Sequence, residues 1–273
     1  MIFLRKSSGL CVLVFLSLSC MRARFPSYCK PPKEYEGRSS AEILKSAQEI
    51  IANGKEKRAI AYGLFGNKSK YVEGLIKDLT LAKIIFPGWD VVVFMHSETV
   101  PAEVVERVKA GGAKVMLDKN YNHASARFYI ADLDYDRFIV RDVDSRLMHR
   151  EMVAVADWIK NDWAILHGMR DTTAHLDPLL GGMWGAKTKG LREKLKQKFG
   201  KESVAELYAQ FMKGGEAVYG TDQAFLAQVV VQAVGEDAFL SHETIKCNEF
   251  KNSRGFPLTR SMTGPFIGQV KEE

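Results

Sequence analysis

Apolar runs of strand length alternate with amphipathic runs of helix length along most of this chain, and the connections between them are short. The predicted strands are Arg58–Phe65, Val91–His96, Lys114–Leu117, Arg137–Val140, Trp163–Met169, Leu179–Trp184 and Ala238–His242. Helices are predicted from a capping box at Ser39 and Glu42 up to Gly54, and then over Tyr71–Ile85, Ala102–Ala110, Ser125–Leu133, Glu151–Lys160, Leu191–Phe199, Ser203–Met212 and Asp222–Val234. This alternation predicts an α/β fold, with a mostly parallel central sheet flanked by helices on both faces.

The start of the chain has a different character. Two basic residues precede an apolar run, LCVLVFLSL (residues 10–18), and small residues follow it. That order is typical of a secretory signal, and the run is shorter than the about 20 residues that span a bilayer. We therefore predict a signal peptide or signal anchor over residues 1–25, a proline-rich tether over 26–40 and one folded domain over 41–273. The leader predicts export, to the Golgi or ER lumen in a eukaryote or the cell envelope in a bacterium, and leaves membrane attachment open.

Charge and cysteine content narrow the class of protein. The 39 basic and 33 acidic residues give a net charge of +6, spread along the chain. Without a basic tail or arm, a nucleic-acid partner is not expected. Beyond the leader, Cys29 and Cys247 remain, and an oxidising compartment would permit them to pair. The sequence leaves the paired and unpaired states open.

An Asp-x-Asp pair stands at the end of one predicted strand, in FIVRDVDSR (residues 138–146). Ligands of parallel sheets bind beyond the carboxyl ends of the strands, where Asp142 and Asp144 stand. Both carboxylates can meet one ion only if the chain turns there and brings them together. A hard divalent cation prefers oxygen ligands, so the pair predicts a site for a metal–diphosphate. Arg146 and Leu147 exclude a calcium loop of the EF-hand type, which needs an oxygen ligand and a glycine at their positions.

Two other functions compete for the same pair. A metal-dependent phosphatase of the haloacid-dehalogenase type also begins with Asp-x-Asp after an apolar strand, and its first aspartate is the nucleophile. Phosphatases of that type have threonine or valine where this chain has Arg146. Their aspartate pair also usually follows the first strand of the fold, whereas three predicted strands precede Asp142 here. The other alternative is a non-catalytic carbohydrate- or nucleotide-binding protein that retains the fold.

Four stretches of the sequence resemble one family: RFYIADLDYDRFIVRDVDSRLMHREMVAVADWI, HGMRDTTAHLDPLLGGMWGAK, YGTDQAFL and KCNEFKNSRGFPLTR. Over residues 59–269 the chain is similar to nucleotide-sugar-dependent glycosyltransferases of the GT-A class, within a little-characterised group. The resemblance implies a hexosyltransferase-like enzyme that moves a sugar from a nucleotide-diphosphate donor to a glycan, protein or lipid. It also implies a divalent cation, with Mn²⁺ expected and Mg²⁺ as the alternative.

The resemblance also assigns roles to individual residues. It implies a metal site of Asp142 and Asp144, completed by His242. The donor-binding residues that it implies are Tyr62, Gly63, Leu64, Arg127, Arg141, Gly181, Gly182 and Gln223. In an inverting mechanism a base must take the acceptor's proton, and the candidates are Asp171, His175 and Asp222. A retaining mechanism needs no such base, and the sequence leaves both mechanisms open.

Overall fold

The computed structural model describes residues 28–121, 123–215, 217–261 and 263–271. The predicted leader lies outside these described residues. Within them, no helix combines the length and the apolar character needed to cross a membrane.

A mixed sheet forms the centre of the domain. Within the described residues its strands are β1 Arg58–Leu64, β2 Asp90–His96, β3 Lys114–Asp118, β4 Arg137–Arg141, β5 Leu166–Arg170, β6 Met183–Lys187, β7 Phe239–Glu243 and β8 Ser253–Gly255. Their spatial order is β3-β2-β1-β4-β6-β5-β7-β8. β6 runs antiparallel between β4 and β5, and the other pairs are parallel. The predicted α/β fold with a mostly parallel sheet is confirmed.

Helices cover both faces of the sheet, and successive strand residues contribute to different cores because they point to opposite faces. In β1, Ile60 belongs to one hydrophobic core and Ala61 to the other. The helices that contribute to the first core are α1 Ser40–Ala52, α2 Ser69–Ile85, α3 Ala102–Ala110 and α4 His149–Lys160. The second core is covered by a 3₁₀ segment, Ala124–Asp132, by α5 Thr188–Phe199 and α6 Val204–Met212, and by α7, which begins as α-helix Thr221–Phe225, continues as π-helix Leu226–Val231 and ends as α-helix Gln232–Val234.

The N-terminal part of the described chain is fixed to the domain. Cys29 forms a disulfide with Cys247, across a sequence separation of 218. The Cys29 amide also donates a hydrogen bond to the Thr244 carbonyl at 2.8 Å. Tyr35 is buried and donates from Oη to Asp157 Oδ1 at 2.8 Å. The segment predicted as a tether therefore packs against the domain where the structure describes it.

The start of α1 agrees with its prediction, and two strands differ from the prediction. The predicted capping box is confirmed, since the Glu42 amide donates to Ser39 Oγ at 3.3 Å and the Ser39 amide donates to Glu42 Oε2 at 2.8 Å. The strand predicted at Leu179–Trp184 begins later, at Met183, because a loop carrying two glycines precedes it. β8 was not predicted, since it is three residues long and lacks an apolar run.

Candidate active-site cleft

The chain turns immediately after β4. Both the amide and Oγ of Ser145 donate hydrogen bonds to the Asp142 carbonyl, at 3.4 and 3.1 Å. The turn leaves Asp142 and Asp144 side by side on the wall of an open cleft. The chain therefore turns at the pair, as binding of one ion by both carboxylates requires.

The electrostatics of the pair suit a bound cation. Burial raises the pKa of Asp144, and the neighbouring charge of Asp142 raises it further. A hard divalent ion would relieve this repulsion, and carboxylate oxygens are the ligands that it prefers. In the described parts of the chain, however, no three His, Cys, Asp or Glu side chains gather as a metal-binding group. Two carboxylates fit such an ion only if water or ligand oxygens complete its coordination.

Arg127 connects this turn to the start of α7. Its Nη1 donates to the Ala124 carbonyl at 2.8 Å, and its Nε donates to the Gly181 carbonyl at 3.2 Å. Its Nη2 lies 2.9 Å from Asp142 Oδ1 and 3.3 Å from Asp222 Oδ2. The side chain is only 7% exposed, so these four contacts hold it between the two carboxylates.

Two glycines allow the backbone before β6 to approach these groups. A Cβ atom on Gly181 would collide with the Asp222 carboxylate and with Arg127 Nη2. A Cβ atom on Gly182 would collide with the Asp142 carboxylate. A side chain at either position would therefore push these charged groups aside, and glycine avoids this by allowing a close approach of the backbone.

The cleft has two connected parts. The larger has a volume of about 800 Å³ and lies between the Asp-x-Asp turn, the glycine pair and the start of α7. A hollow of about 440 Å³ adjoins it, between that turn and the carboxyl end of β1. Ten predicted site residues line one or both parts: Gly63, Leu64, Arg127, Asp142, Asp144, His175, Gly181, Gly182, Asp222 and Gln223.

Two predicted donor-binding residues lie elsewhere. Tyr62 is fully buried in the core beneath α2 and α4, and burial raises the pKa of its hydroxyl far above the ordinary value. Arg141 is also buried, and its guanidinium pairs with Glu151 of α4. Both side chains point to the helix-covered face of the sheet, so this structure does not support their predicted contact with a donor.

His242 is not brought to the aspartate pair. Its Nε2 lies 3.1 Å from Asp157 Oδ2, and its Nδ1 lies 2.9 Å from His167 Nε2. Because both ring nitrogens are engaged and the side chain is fully buried beneath α4, it has no free nitrogen for a metal. The predicted third metal ligand is therefore corrected: the His242 ring belongs to a buried hydrogen-bond chain.

Asp171, a predicted base, is enclosed by donors. Arg150 donates to both of its oxygens, at 3.1 and 2.9 Å, and Arg260 Nε and the Ile267 amide donate at 3.1 and 3.0 Å. The Thr244 hydroxyl also donates to it. Burial alone would raise the pKa of Asp171, but the bonds and charge of Arg150 bring it below the ordinary value. This carboxylate is therefore a structural anchor and a poor proton acceptor.

The other two predicted bases reach the cleft. His175 lines the larger part, and its Nδ1 accepts a hydrogen bond from the Asp171 amide at 3.0 Å. Burial lowers the pKa of His175 to about 4, and Arg170 and Arg260 act in the same direction while Asp171 opposes them. Asp222 also lines the cleft, with Oδ1 accepting from the Gln223 amide at 3.0 Å and Oδ2 beside Arg127.

The sequence did not reveal two features of the cleft. Lys70, in the first turn of α2, has its Nζ 3.8 Å from Asp144 Oδ2. Its place directly after the first strand could have suggested this. Large apolar side chains also surround the cleft while remaining exposed: Phe65, Leu176, Val218, Tyr219 and Val270. No periodic pattern marks them, because they lie in loops and at the C-terminus.

Known proteins resemble this chain in structure and not in sequence. No family model matches the chain, and no curated protein matches it. Solved structures that it resembles include glucosyl-3-phosphoglycerate synthase of Mycobacterium tuberculosis, at 11% identity and a TM-score of 0.44, covering 87% of this chain and 81% of that one. The same synthase in complex with Mn²⁺, UDP-glucose and glycerol 3-phosphate matches at 13% identity and a TM-score of 0.47, covering 79% and 77%. Mannosyl-3-phosphoglycerate synthase of Rubrobacter xylanophilus matches at 11% identity and a TM-score of 0.45, covering 87% and 75%. At these identities and scores, the likeness assigns no residue role to this chain.

Proposed function

We propose that this protein is a metal-dependent glycosyltransferase of the GT-A type, which moves a sugar from a nucleotide-diphosphate donor to an acceptor hydroxyl. One observation carries the proposal. The turn after β4 presents Asp142 and Asp144 together in a cleft at the carboxyl ends of the parallel strands, where such folds bind ligands. The quoted motifs that resemble the family run through the same turn and through the glycine pair.

The two parts of the cleft suit the two parts of a donor. Asp142 and Asp144 would hold the divalent cation, Mn²⁺ or Mg²⁺, which when bound would neutralise the donor's diphosphate. The hollow beside Gly63 and Leu64 has room for the nucleotide. The larger part, beside the glycine pair and Gln223, has room for the sugar and the acceptor. Donor and acceptor would then meet at the Asp-x-Asp turn.

Positive side chains of the protein would assist bond cleavage. Breaking a sugar–diphosphate bond builds negative charge on the leaving phosphate, and fixed cations stabilise that charge. Arg127 and Lys70 lie against the two aspartates and are positioned to do so. Of the three predicted bases, Asp222 is the one whose carboxylate is open to the cleft and not enclosed by donors. An inverting reaction would use it, whereas a retaining reaction would leave it a positioning role beside Arg127.

Export remains part of the proposal. Disulfides persist in oxidising compartments, so the Cys29–Cys247 bond agrees with a secretory or cell-envelope location. The predicted leader, residues 1–25, would direct the chain there. Whether the leader also attaches the protein to a membrane could be tested by fractionating cells that express the full chain.

The proposed activity can be tested by following nucleotide release from a panel of nucleotide-sugars, with and without Mn²⁺, because transferases slowly hydrolyse their donors. We expect Mn²⁺-dependent release from one donor, lost in Asp142→Asn and Asp144→Asn. Asp162→Asn is the matched control, since that carboxylate is exposed and pairs with Lys187 on the surface. Phosphate release from simple phosphate esters without any sugar donor would favour the phosphatase. Metal-dependent nucleotide binding without turnover would favour the non-catalytic alternative.

A further inference from the structure

The protonation state of His175 is fixed by the backbone. Its Nδ1 lies 3.0 Å from the Asp171 amide nitrogen. A backbone N–H can only donate, so Nδ1 must present its lone pair. A neutral imidazole carries one N–H and one lone-pair nitrogen, and the proton of His175 must therefore be on Nε2.

The surroundings hold this arrangement rigidly. The Asp171 carboxylate is anchored by Arg150 and Arg260, and the Asp171 carbonyl accepts from Arg260 Nη2 at 2.6 Å. The His175 amide donates to the Thr172 carbonyl at 3.1 Å, which closes a short turn. Phe266 packs edge-on against the ring, with 5.7 Å between the centroids. Rotation of the imidazole would break the bond to Asp171 and this packing together.

The remaining nitrogen, Nε2, belongs to a residue on the wall of the cleft. His175 lines the larger part of the cleft and not the hollow beside β1. In the described chain, Nε2 has no hydrogen-bond partner and is not sealed from solvent. A ligand oxygen in the sugar or acceptor half of the cleft can therefore accept its proton in a hydrogen bond. A ligand oxygen cannot transfer a proton to Nε2, because Nε2 is already protonated.

We propose that His175 binds the acceptor by donating a hydrogen bond from Nε2–H to an acceptor oxygen, and that it is not the catalytic base. The inference rests on the proposed function. It requires that the acceptor, including water in the hydrolysis reaction, presents an oxygen lone pair to this N–H. Neither group gains or loses a proton in the interaction.

The tautomer can be measured without any activity. Long-range ¹H–¹⁵N spectra of the ¹⁵N-histidine-labelled full chain, with His175→Gln for assignment, distinguish the two tautomers. We expect the Nε2–H form of His175 and no titration between about pH 5.5 and 9, the range in which an ordinary histidine ionises. An Nδ1–H form, or a midpoint near the ordinary value, would overturn the inference and leave the proposed glycosyltransferase function intact.

The hydrogen bond donated by His175 can then be tested through the rate at which water hydrolyses the nucleotide-sugar that the panel identifies. His175→Gln places an amide N–H near the position of Nε2, whereas His175→Asn replaces only the Nδ1 side. We expect His175→Gln to stay within about threefold of the wild-type rate and His175→Asn to fall about tenfold, the cost of one hydrogen bond. Equal large losses of hydrolysis rate in both variants, with melting temperatures that show both to be folded, would contradict hydrogen-bond donation by His175. If the wild type hydrolyses no donor, the proposed function itself fails, and the spectra still decide the tautomer.

Discussion

The guanidinium of Arg127 lies 2.9 Å from the carboxylate of Asp142. A cation of the protein itself therefore contacts the first aspartate of the Asp-x-Asp turn, and it also pairs with Asp222. Like charges a few ångströms apart repel strongly where solvent screening is incomplete. A divalent ion at this turn would have to share Asp142 with Arg127 or displace the Arg127 guanidinium towards Asp222.

Replacing Arg127 should strengthen metal binding. Arg127→Gln removes the competing charge, so we expect Mn²⁺ affinity without nucleotide to rise about tenfold, or about 1.4 kcal/mol. Isothermal titration with Mn²⁺ measures this directly. Arg107→Gln is the control, because Arg107 is exposed and pairs with Glu73 on the helices away from the cleft. Unchanged or weaker Mn²⁺ binding in a folded Arg127→Gln protein would show that Arg127 does not compete for Asp142.

Replacement of Gly181 and of Gly182 should have different effects on metal binding, because the two glycines contact different charged side chains. Gly182→Ala forces a Cβ atom against the Asp142 carboxylate, whereas Gly181→Ala forces one against Asp222 and Arg127. We expect Gly182→Ala to weaken Mn²⁺ binding more than tenfold if it removes one charged ligand. Gly181→Ala should leave Asp142 in place and therefore bind Mn²⁺ more tightly than Gly182→Ala does. Calorimetry on both variants tests this, and equal losses would mean that the loop as a whole, rather than each contact, controls the site.

The buried histidines should make stability depend on pH. Burial lowers the pKa of both His167 and His242, and the bond to Asp157 only partly offsets it for His242. The unfolded chain binds a proton at each near pH 6.5 and the folded chain does not, so falling pH favours unfolding. The contribution of these two histidines to the free energy of unfolding should be fully present above about pH 6.5 and be lost below it, by up to about 1.4 kcal/mol per pH unit for each histidine.

Urea unfolding at about pH 7.5 and 5.5 measures this loss. His242→Gln should reduce the difference between the two pH values, because one of the groups that takes up a proton on unfolding is gone. His149→Gln is the control, since His149 is exposed on the first turn of α4. The same pH dependence in His242→Gln and in the wild type would contradict the assignment.

The disulfide should stabilise the fold by restricting the unfolded chain. It joins residues separated by 218 positions, and native disulfides typically contribute about 2–4 kcal/mol. We expect the double variant Cys29→Ser, Cys247→Ser to lose stability of that order in urea unfolding, under conditions that leave the wild type oxidised. No difference between the two proteins would show that Cys29 and Cys247 are not joined.

Periodicity predicted the sheet well because its strands are short apolar runs between clear breaks. β1 and β2 differ from their predictions by one residue at one end. β8 was missed because Ser253, Arg254 and Gly255 carry no such pattern; pairing with β7 alone makes them a strand. Likewise, the π-helical middle of α7 depends on packing that a helical period does not reveal.

The structure brings predicted site residues to the cleft where their position at the end of a strand decides their place; their roles remain predictions. Asp142, Asp144 and the glycine pair lie at strand ends, and strand ends meet at the cleft. Tyr62 and Arg141 do not reach the cleft because they lie within strands. There the direction of a side chain depends on the face of the sheet, and α4 covers the face to which both point. His242 was misplaced for a similar reason, because its partners come from elements distant in the sequence.

The most direct test of the whole account is the coupling between metal and nucleotide at Asp142 and Asp144. Calorimetry would measure UDP and GDP binding with and without Mn²⁺, and Mn²⁺ binding with and without each nucleotide, in the wild type and in Asp144→Asn. We expect Mn²⁺ to tighten the binding of one nucleotide, and that nucleotide to tighten Mn²⁺ binding by the same factor, as linkage requires. The coupling should disappear in Asp144→Asn. Nucleotide binding that is independent of Mn²⁺, or coupling that survives in Asp144→Asn, would contradict a metal-bridged donor site at this turn.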